Sequence, residues 1–388
     1  MAALAAILCT ATPALELSVR SEARGRTALP GEVSSDVSRD LQLDPRAALS
    51  FGGGELQGFV AYAPRILFLD VGTGAARTAP LHRAELSASL REDASLRLLA
   101  AGRFAAGTED FSPLTSTAAP SALPAPAPDR LSGLRPLQSI AGDGSLGFEQ
   151  RFGQRFRLTG AAGYGVFGGL RDQDREVLPL RQGPRGNLQF SFHPDRRDEL
   201  AASAQVEHLI FDTGRAVTVT EGTLAWTRNL ERDLRLELAA GGAGVRAFGG
   251  DSPELTLRAR PVLSAGLEKS LPVRGERLTA AARGRIGPAV DRLSGDVYER
   301  AEGSLSIDWL PVRHFGLAVR GGASSPLEGA LQGQTVSTGE LEARLLPHRS
   351  VAFSAGLRGL AGSQGALVGP PVQWGAFVAA SFASREDL

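Results

Sequence analysis

The sequence predicts an all-β protein, a transmembrane up-and-down antiparallel β-barrel of about 18 strands, with 16 as the alternative count. Three observations predict it. Apolar and polar side chains alternate with period two over most of the 388 residues. The joints between these runs are alternately short and long. Charged residues sit in mid-strand, opposite the apolar face, in strand after strand.

Successive side chains on an extended chain face opposite sides, so the faces can be read directly. In "FRLTGAAGYGVF", Phe156, Leu158, Gly160, Ala162, Tyr164 and Val166 share one face. In "ERDLRLELAAGGAGVRAF", Leu234, Leu236, Leu238 and Ala240 oppose Arg235, Glu237 and Ala239. The runs after Glu254, Ala301 and Gly339 behave the same way. These are strand periods, not helical ones. Taken in order, strands begin near Leu15, Leu41, Gly58, Ala84, Ser95, Gln138, Arg155, Asn187, Glu199, Ala216, Asp233, Glu254, Arg277, Tyr298, Phe315, Thr335, Val351 and Val372.

Compact polar joints such as "REDAS", "HPDRRDE", "RNLERD", "PVRGE" and "PHRS" alternate with longer connections such as "GGLRDQDREV", "SSPLEGALQGQ" and "AGSQGALVGPP". An up-and-down barrel has this form, with short periplasmic turns and long extracellular loops. An even strand count returns both termini to the short-turn side. The longest connection, residues 108–136, is rich in Pro, Ala and Ser, and Pro120, Pro124, Pro126 and Pro128 cannot donate to a ladder. It is expected as an extracellular loop, either disordered at the surface or folded inward as a constriction.

The apolar face is Ala-, Gly-, Leu- and Val-rich, without the large aromatic fillers of a sandwich core. The other face carries Arg97, Arg103, Glu149, Arg235, Glu237, Arg258, Arg260, Arg283, Arg285, Arg320, Arg344 and Arg358. That is too much charge for an apolar interior and suits a water-lined lumen. Leu234, Leu236 and Leu238 are therefore expected to face lipid. The candidate pore-lining residues are Arg235, Glu237, Arg258, Arg260, Arg283, Arg285, Arg320, Arg344 and Arg358. Arg258, Arg260, Arg283 and Arg285, on two adjacent strands, form the cluster expected to favour anions.

In the last strand, "PVQWGAFVAASF", Val372, Trp374, Ala376, Val378, Ala380 and Phe382 share one face and end on an aromatic. This resembles the C-terminal recognition strand of Gram-negative outer-membrane β-barrels, in which the aromatic is normally the last residue; here "ASREDL" follows. "VAYAPRILF" and "LPLRQGPRG" resemble segments of uncharacterised outer-membrane barrels from GC-rich bacteria. The resemblance implies a bacterial outer-membrane location. Its implied partners are outer-membrane lipid and the barrel assembly machinery, which would read Trp374, Val378 and Phe382. Trp226, Trp309 and Trp374 lie near strand ends, as an interfacial aromatic belt requires.

Composition bounds the function. Forty-two basic and 42 acidic residues give no net charge, which argues against a nucleic-acid partner. Lys269 is the only lysine, and Arg abundance reads as GC-rich coding. With Cys9 as the only cysteine there is neither a disulfide framework nor a cysteine metal site. Cys9 lies in "MAALAAILCTATPA", read as a secretory signal peptide over residues 1–14 without a basic n-region, leaving 15–388 as one barrel.

"GYGVFG" (Gly163, Gly165, Gly168) satisfies a dinucleotide-binding glycine pattern, but no amphipathic helix follows it, so no cofactor is expected. His82, His193, His208, His314 and His348 have no partner at metal-ligand spacing, so no metal is expected. Asp172, Asp174 and Glu176 are acidic enough for a hard cation, but Arg171 and Arg175 compete for them, and the segment is read as a solvated loop. No Ser/His or Asp/His constellation for catalysis stands out, so the protein is read as a non-enzyme. The function expected is passive diffusion of small hydrophilic solutes through an Arg/Glu-lined lumen. The alternative is a non-conducting structural or assembly barrel whose lumen is plugged by salt bridges.

Overall fold

With one oily and one charged face per strand, the chain gains most by pairing every strand edge and separating the two faces, and a closed barrel does both. The computed structural model describes residues 13–27, 37–53, 55–71, 77–93, 95–111, 136–231, 233–249, 258–273, 276–291, 293–328, 334–363 and 371–387.

The first strands are β1 (Ala14–Thr27), β2 (Val37–Gly53), β3 (Leu56–Tyr62), β4 (Arg65–Leu69), β5 (Arg77–Arg91) and β6 (Leu96–Glu109). Next come β7 (Leu137–Phe152), β8 (Phe156–Gly169), a short helix α1 (Asp172–Val177), β9 (Arg181–Phe192) and β10 (Asp198–Phe211). Then follow β11 (Ala216–Glu231), β12 (Leu234–Phe248), β13 (Arg258–Val273), β14 (Glu276–Val290) and β15 (Val297–Val312). The last are β16 (Phe315–Pro326), β17 (Val336–His348), β18 (Val351–Gly362) and β19 (Val372–Asp387).

All nineteen segments lie in one sheet, each antiparallel to its neighbours, and β1 pairs with β19 from Ala14↔Asp387 to Arg26↔Gly375, closing the barrel. β3 and β4 are halves of a single stave, since both pair with β2 and β5. The expected count of eighteen therefore stands, with one stave interrupted at Ala63 and Pro64, where proline has no N–H to donate.

Both termini of the barrel lie on the short-turn side, where Ala14 is opposite both Asp387 and Ser50. Every predicted strand has its counterpart. The largest offsets are on the long-loop side: β5 starts at Arg77 rather than near Ala84, and β9 at Arg181 rather than near Asn187. There the ladder runs past the point where hydrophobic alternation stops, as in Arg77↔Leu69 and Arg181↔Phe211. One connection on that side is short: residues 212–215, turning on Gly214 at φ +80°.

The acidic segment after β8, expected as a loop, forms α1. Asp172 and Asp174 occupy its first turn and Arg175 its last, as the helix dipole favours. Leu178, fully buried at its end, packs with Leu137. Among the described residues no helix is long and apolar enough to cross a membrane.

Register places the apolar residues outside. Leu17, Leu98, Leu238, Leu305, Leu341 and Val378 are exposed, with Leu146 at 71% and Leu224 at 70%. Exposed leucines on staves all around a closed sheet form a girdle far larger than the few hundred Å² of apolar patch a soluble monomer tolerates. Lipid, not a protein core, faces Leu238 and its neighbours. The tail beyond Phe382 extends β19, with Ala383–Asp387 paired to Ala14–Ser18.

Candidate functional site: the barrel lumen

The inward face divides into a filled wall and an open one. On β1, the inward parity holds Glu22, Arg24 and Arg26, all buried. Arg24 Nε and Arg26 Nε donate to Asp40 Oδ2 on β2 at 3.2 and 2.7 Å. Ser38 Oγ lies 3.0 Å from Asp40 Oδ1 and 2.9 Å from Asp70 Oδ1, with one proton to donate to either, and Arg65 Nε donates to Asp44 at 2.9 Å. From β18, Arg358 spans β19 to grip Glu22 through two nitrogens, 2.7 and 3.4 Å from its two carboxylate oxygens. The Arg358 guanidinium lies 3.7 Å from the ring centre of Phe377. Arg320 and Arg344 continue the chain of pairs through Glu340, Glu342 and Asp308.

The charges around Glu22, Asp40 and Asp44 have left bulk water, at a cost of several kcal/mol per ion, and persist because they are paired and hydrogen-bonded, while Arg320, Arg344, Glu340 and Asp308 stay partly exposed. The wall from β16 through β19 to β5, where Arg83 pairs with Asp44, is thus filled by its own side chains.

The long-loop mouth is narrowed by three inward turns. After β6, Asp110 Oδ2 accepts from Arg24 Nη2 at 3.2 Å, and Phe111 packs on Phe167 edge to face, next to Leu137 and Leu178. Of the predicted 108–136 loop, residues 112–135 lie outside the described residues. The tip of the β14–β15 hairpin also bends in. Its Leu293 joins the same cluster as Phe111 and Leu178, and Arg215 on the far rim pairs with Asp296 at 2.7 Å. Asp291 ties this tip together by accepting from Leu293 N and Ser294 Oγ. Beyond β16, Glu328 turns in to pair with Arg260.

Beneath the tip, against β7–β11 and β14–β15, lies a cavity of about 610 Å³. Its polar lining includes Arg185, Asn187, Gln205, Glu207, Glu221 and Arg285. The room comes from small residues: Ala161 and Gly163 on β8 take the inward positions opposite Asn187 and Arg185. Gly163 is also a close approach, since a Cβ there would meet Ser145 Cβ at 3.0 Å. The glycines of "GYGVFG", from which no cofactor is expected, lie on β8, and Gly163 is a strand-packing position.

The nine candidate pore-lining residues share the inward parity of their strands. Arg285 is tied to Glu221 at 2.6 Å, and Arg260 to Glu328. Arg320, Arg344 and Arg358 belong to the filled wall. Arg235, Glu237 and Arg283 have no ion pair among the described residues, and Arg235 and Arg283 are exposed. Arg258 pairs with Val245 in the ladder, and its side chain lies outside the described residues.

Trp374, Val378 and Phe382 all face outward and are exposed. Trp226 also faces outward and donates from Nε1 to Asp198 at the short-turn rim. His82 and His208 face outward too, bonded to Tyr62 and Thr218, while His193 and His314 sit in short turns. Among the described residues no three His, Cys, Asp or Glu side chains could hold a metal. Sequence reasoning missed Asn187, Gln205, Glu207 and Glu221; their inward parity beside a Gly/Ala-rich strand was the available signal.

A closed eighteen-stave barrel with an apolar girdle and a charged lumen is an outer-membrane-type β-barrel. The chain belongs to the EpsX exopolysaccharide export family, whose profile matches residues 6–383. The fold is similar to that of solved Pseudomonas aeruginosa outer-membrane proteins. OpdK crystallised with vanillate is 11% identical, with a TM-score of 0.52 over 96% of this chain and 99% of that one. OccK9 (OpdG) is 11% identical, with a TM-score of 0.51 over 98% and 100%. OpdO is 12% identical, with a TM-score of 0.51 over 96% and 97%. No curated protein sequence matches the chain.

Proposed function

We propose that the protein is a passive outer-membrane conduit for hydrophilic solutes, the saccharide chains named in its family's description foremost. The path runs along the open wall of the lumen, past Arg235, Glu237, Arg283 and the cavity beneath the β14–β15 tip. The cavity carries this reading: about 610 Å³ of water-accessible space inside the barrel, lined by polar side chains of both signs. Because the cavity's Arg185, Arg285 and Arg300 are paired, the cavity selects by size and hydrogen bonding more than by charge. The outward row Trp374, Val378 and Phe382 supports insertion through β19 by the barrel assembly machinery, into outer-membrane lipid.

A second reading has its own observation. The buried pairs around Glu22, Asp40 and Arg358 suit a scaffold whose lumen conducts nothing. Planar-bilayer recording separates the two, using refolded full-length protein whose gel mobility shifts on heating. Steady ohmic steps are expected. Heat-modifiable protein that inserts without steps would leave the scaffold.

A further inference from the structure

We propose that the cavity beneath the β14–β15 tip is a binding subsite for an uncharged stretch of saccharide. The cavity's volume lies within the range of ~300–1,000 Å³ usual for small-molecule sites. The inference takes its ligand class from the conduit reading, and its chemistry from the groups left free to bind.

Those groups are few and adjacent. Asn187 on β9 and Gln205 on β10 are direct cross-strand partners, and Gln205 is in turn opposite Glu221 on β11. Arg185 and Glu207 form the next inward row, two residues along the same strands. Partners across a ladder place their side chains about 5 Å apart, so amide donors and acceptors form a compact patch. Asn187 and Gln205 make no protein hydrogen bond among the described residues, and both are exposed to the lumen. Tyr298, Leu209, Val219 and Val290 add an apolar border of the kind that suits the C–H faces of a sugar ring.

The cations of the cavity are already engaged. Arg185 donates to Asp143 at 3.0 Å, Arg285 to Glu221 at 2.6 Å and Arg300 to Glu302 at 2.7 Å. Arg181 lies over the ring of Phe167, 5.1 Å from its centre. Glu207 has no ion pair among the described residues. A carboxylate-bearing ligand would meet Glu207 and compete with Asp143 and Glu221 for their arginines. Hydroxyl groups can donate to Glu207 and exchange hydrogen bonds with both amides at no such cost.

The test is block of single-channel current by maltohexaose, with oligogalacturonate as the acidic counterpart. Maltohexaose is expected to block wild type, and Asn187→Ala with Gln205→Ala is expected to weaken block about tenfold, two neutral hydrogen bonds' worth. Gln57→Ala, an exposed amide on β3 outside the cavity, is expected to change nothing. Equal block of wild type and the double variant would overturn the subsite. Block by oligogalacturonate alone would overturn the uncharged class while leaving the conduit intact. If the barrel conducts nothing, the conduit reading falls and calorimetric titration of the detergent-solubilised protein with maltohexaose decides the subsite. Binding lost in the double variant supports it, and no binding to wild type overturns it.

Discussion

Replacing Arg358 with alanine tests whether one wall of the lumen is filled. Glu22 is 0% exposed and Arg358 about as hidden, at 5% of its side chain. Truncating Arg358 strips the Glu22 carboxylate of its two-nitrogen partner, and breaking a buried pair costs roughly 3–5 kcal/mol. Arg20 Nη2 remains 3.1 Å from Glu22 Oε2, which favours the lower end. Losing the guanidinium over Phe377 adds about 1 kcal/mol. The expected loss is about 4 kcal/mol, nearly a thousandfold in the folding equilibrium.

Equilibrium urea unfolding of protein refolded into phosphocholine vesicles reads this loss. Adding Glu22→Gln and changing position 358 to methionine instead removes both charges while keeping volume, and should recover all but about 1 kcal/mol. A loss below about 1 kcal/mol for Arg358→Ala, the worth of a solvated surface pair, would refute the filled wall and put water around Arg358.

Other perturbations probe the rims and the outer face. Arg215→Ala with Leu293→Ala frees the β14–β15 tip at both anchors and should raise unit conductance or add current noise in bilayer recordings; an unchanged trace would mean the tip does not narrow the path. Asp93 in the β5–β6 turn accepts from Leu96 N, Ser95 Oγ and Ser95 N, and these bonds hold its carboxyl below the usual carboxylate range. A depressed folded pKa stabilises the turn above the unfolded value and loses that support as pH falls through the folded one, so the turn should loosen only below about pH 4. Carboxyl NMR titration checks it, and a midpoint at or above the ordinary Asp value would contradict the turn geometry. Trp226, Trp309 and Trp374 should be quenched more by lipids brominated near the headgroup than near the chain end; deep quenching would remove the belt.

Much of this fold was legible because each stave carries its own faces. "LRLELAA" in β12 declares an outward row by period alone, and the register with β11 and β13 keeps it. What periodicity lacks is distance across the lumen. Arg358 and Arg283 read alike in sequence, each a mid-strand arginine on an inward parity. Their difference depends on what another stave brings near: Glu22, 336 residues away, for the first, and no ion pair among the described residues for the second. The cavity was hidden for a related reason. Its polar patch is made of single Asn, Gln and Glu residues on separate strands, joined only by register. The acidic segment that became α1 was misread because its anchor, Leu178, needs Leu137 to bury it, and that contact is not local.

The buried charges also bear on how the barrel closes. Bringing β1 to β19 closes a loop of more than three hundred residues, at an entropic cost roughly 3 kcal/mol above that of a hairpin of about 15 residues. The β1–β19 ladder is long, from Ala14↔Asp387 to Arg26↔Gly375, but a ladder alone is open to slippage. The residues that resist a slip are inside. Arg358 to Glu22 bridges across β19, and on the long-loop side Thr27 Oγ1 donates to Trp374 O while Trp374 N donates to Thr27 Oγ1. A one-residue shift would turn Glu22, Arg24 and Arg26 toward lipid and bury Val19 and Ala23 against charge. That penalty, about 2–4 kcal/mol for an arginine at the bilayer midplane and less for Glu22 or toward the rim, adds to the loss of the buried pairs, and together they exceed the closure cost. The filled wall therefore fixes the register of the seam, which frees the opposite wall, where consecutive hairpins hold themselves in register, to keep small residues and an open cavity.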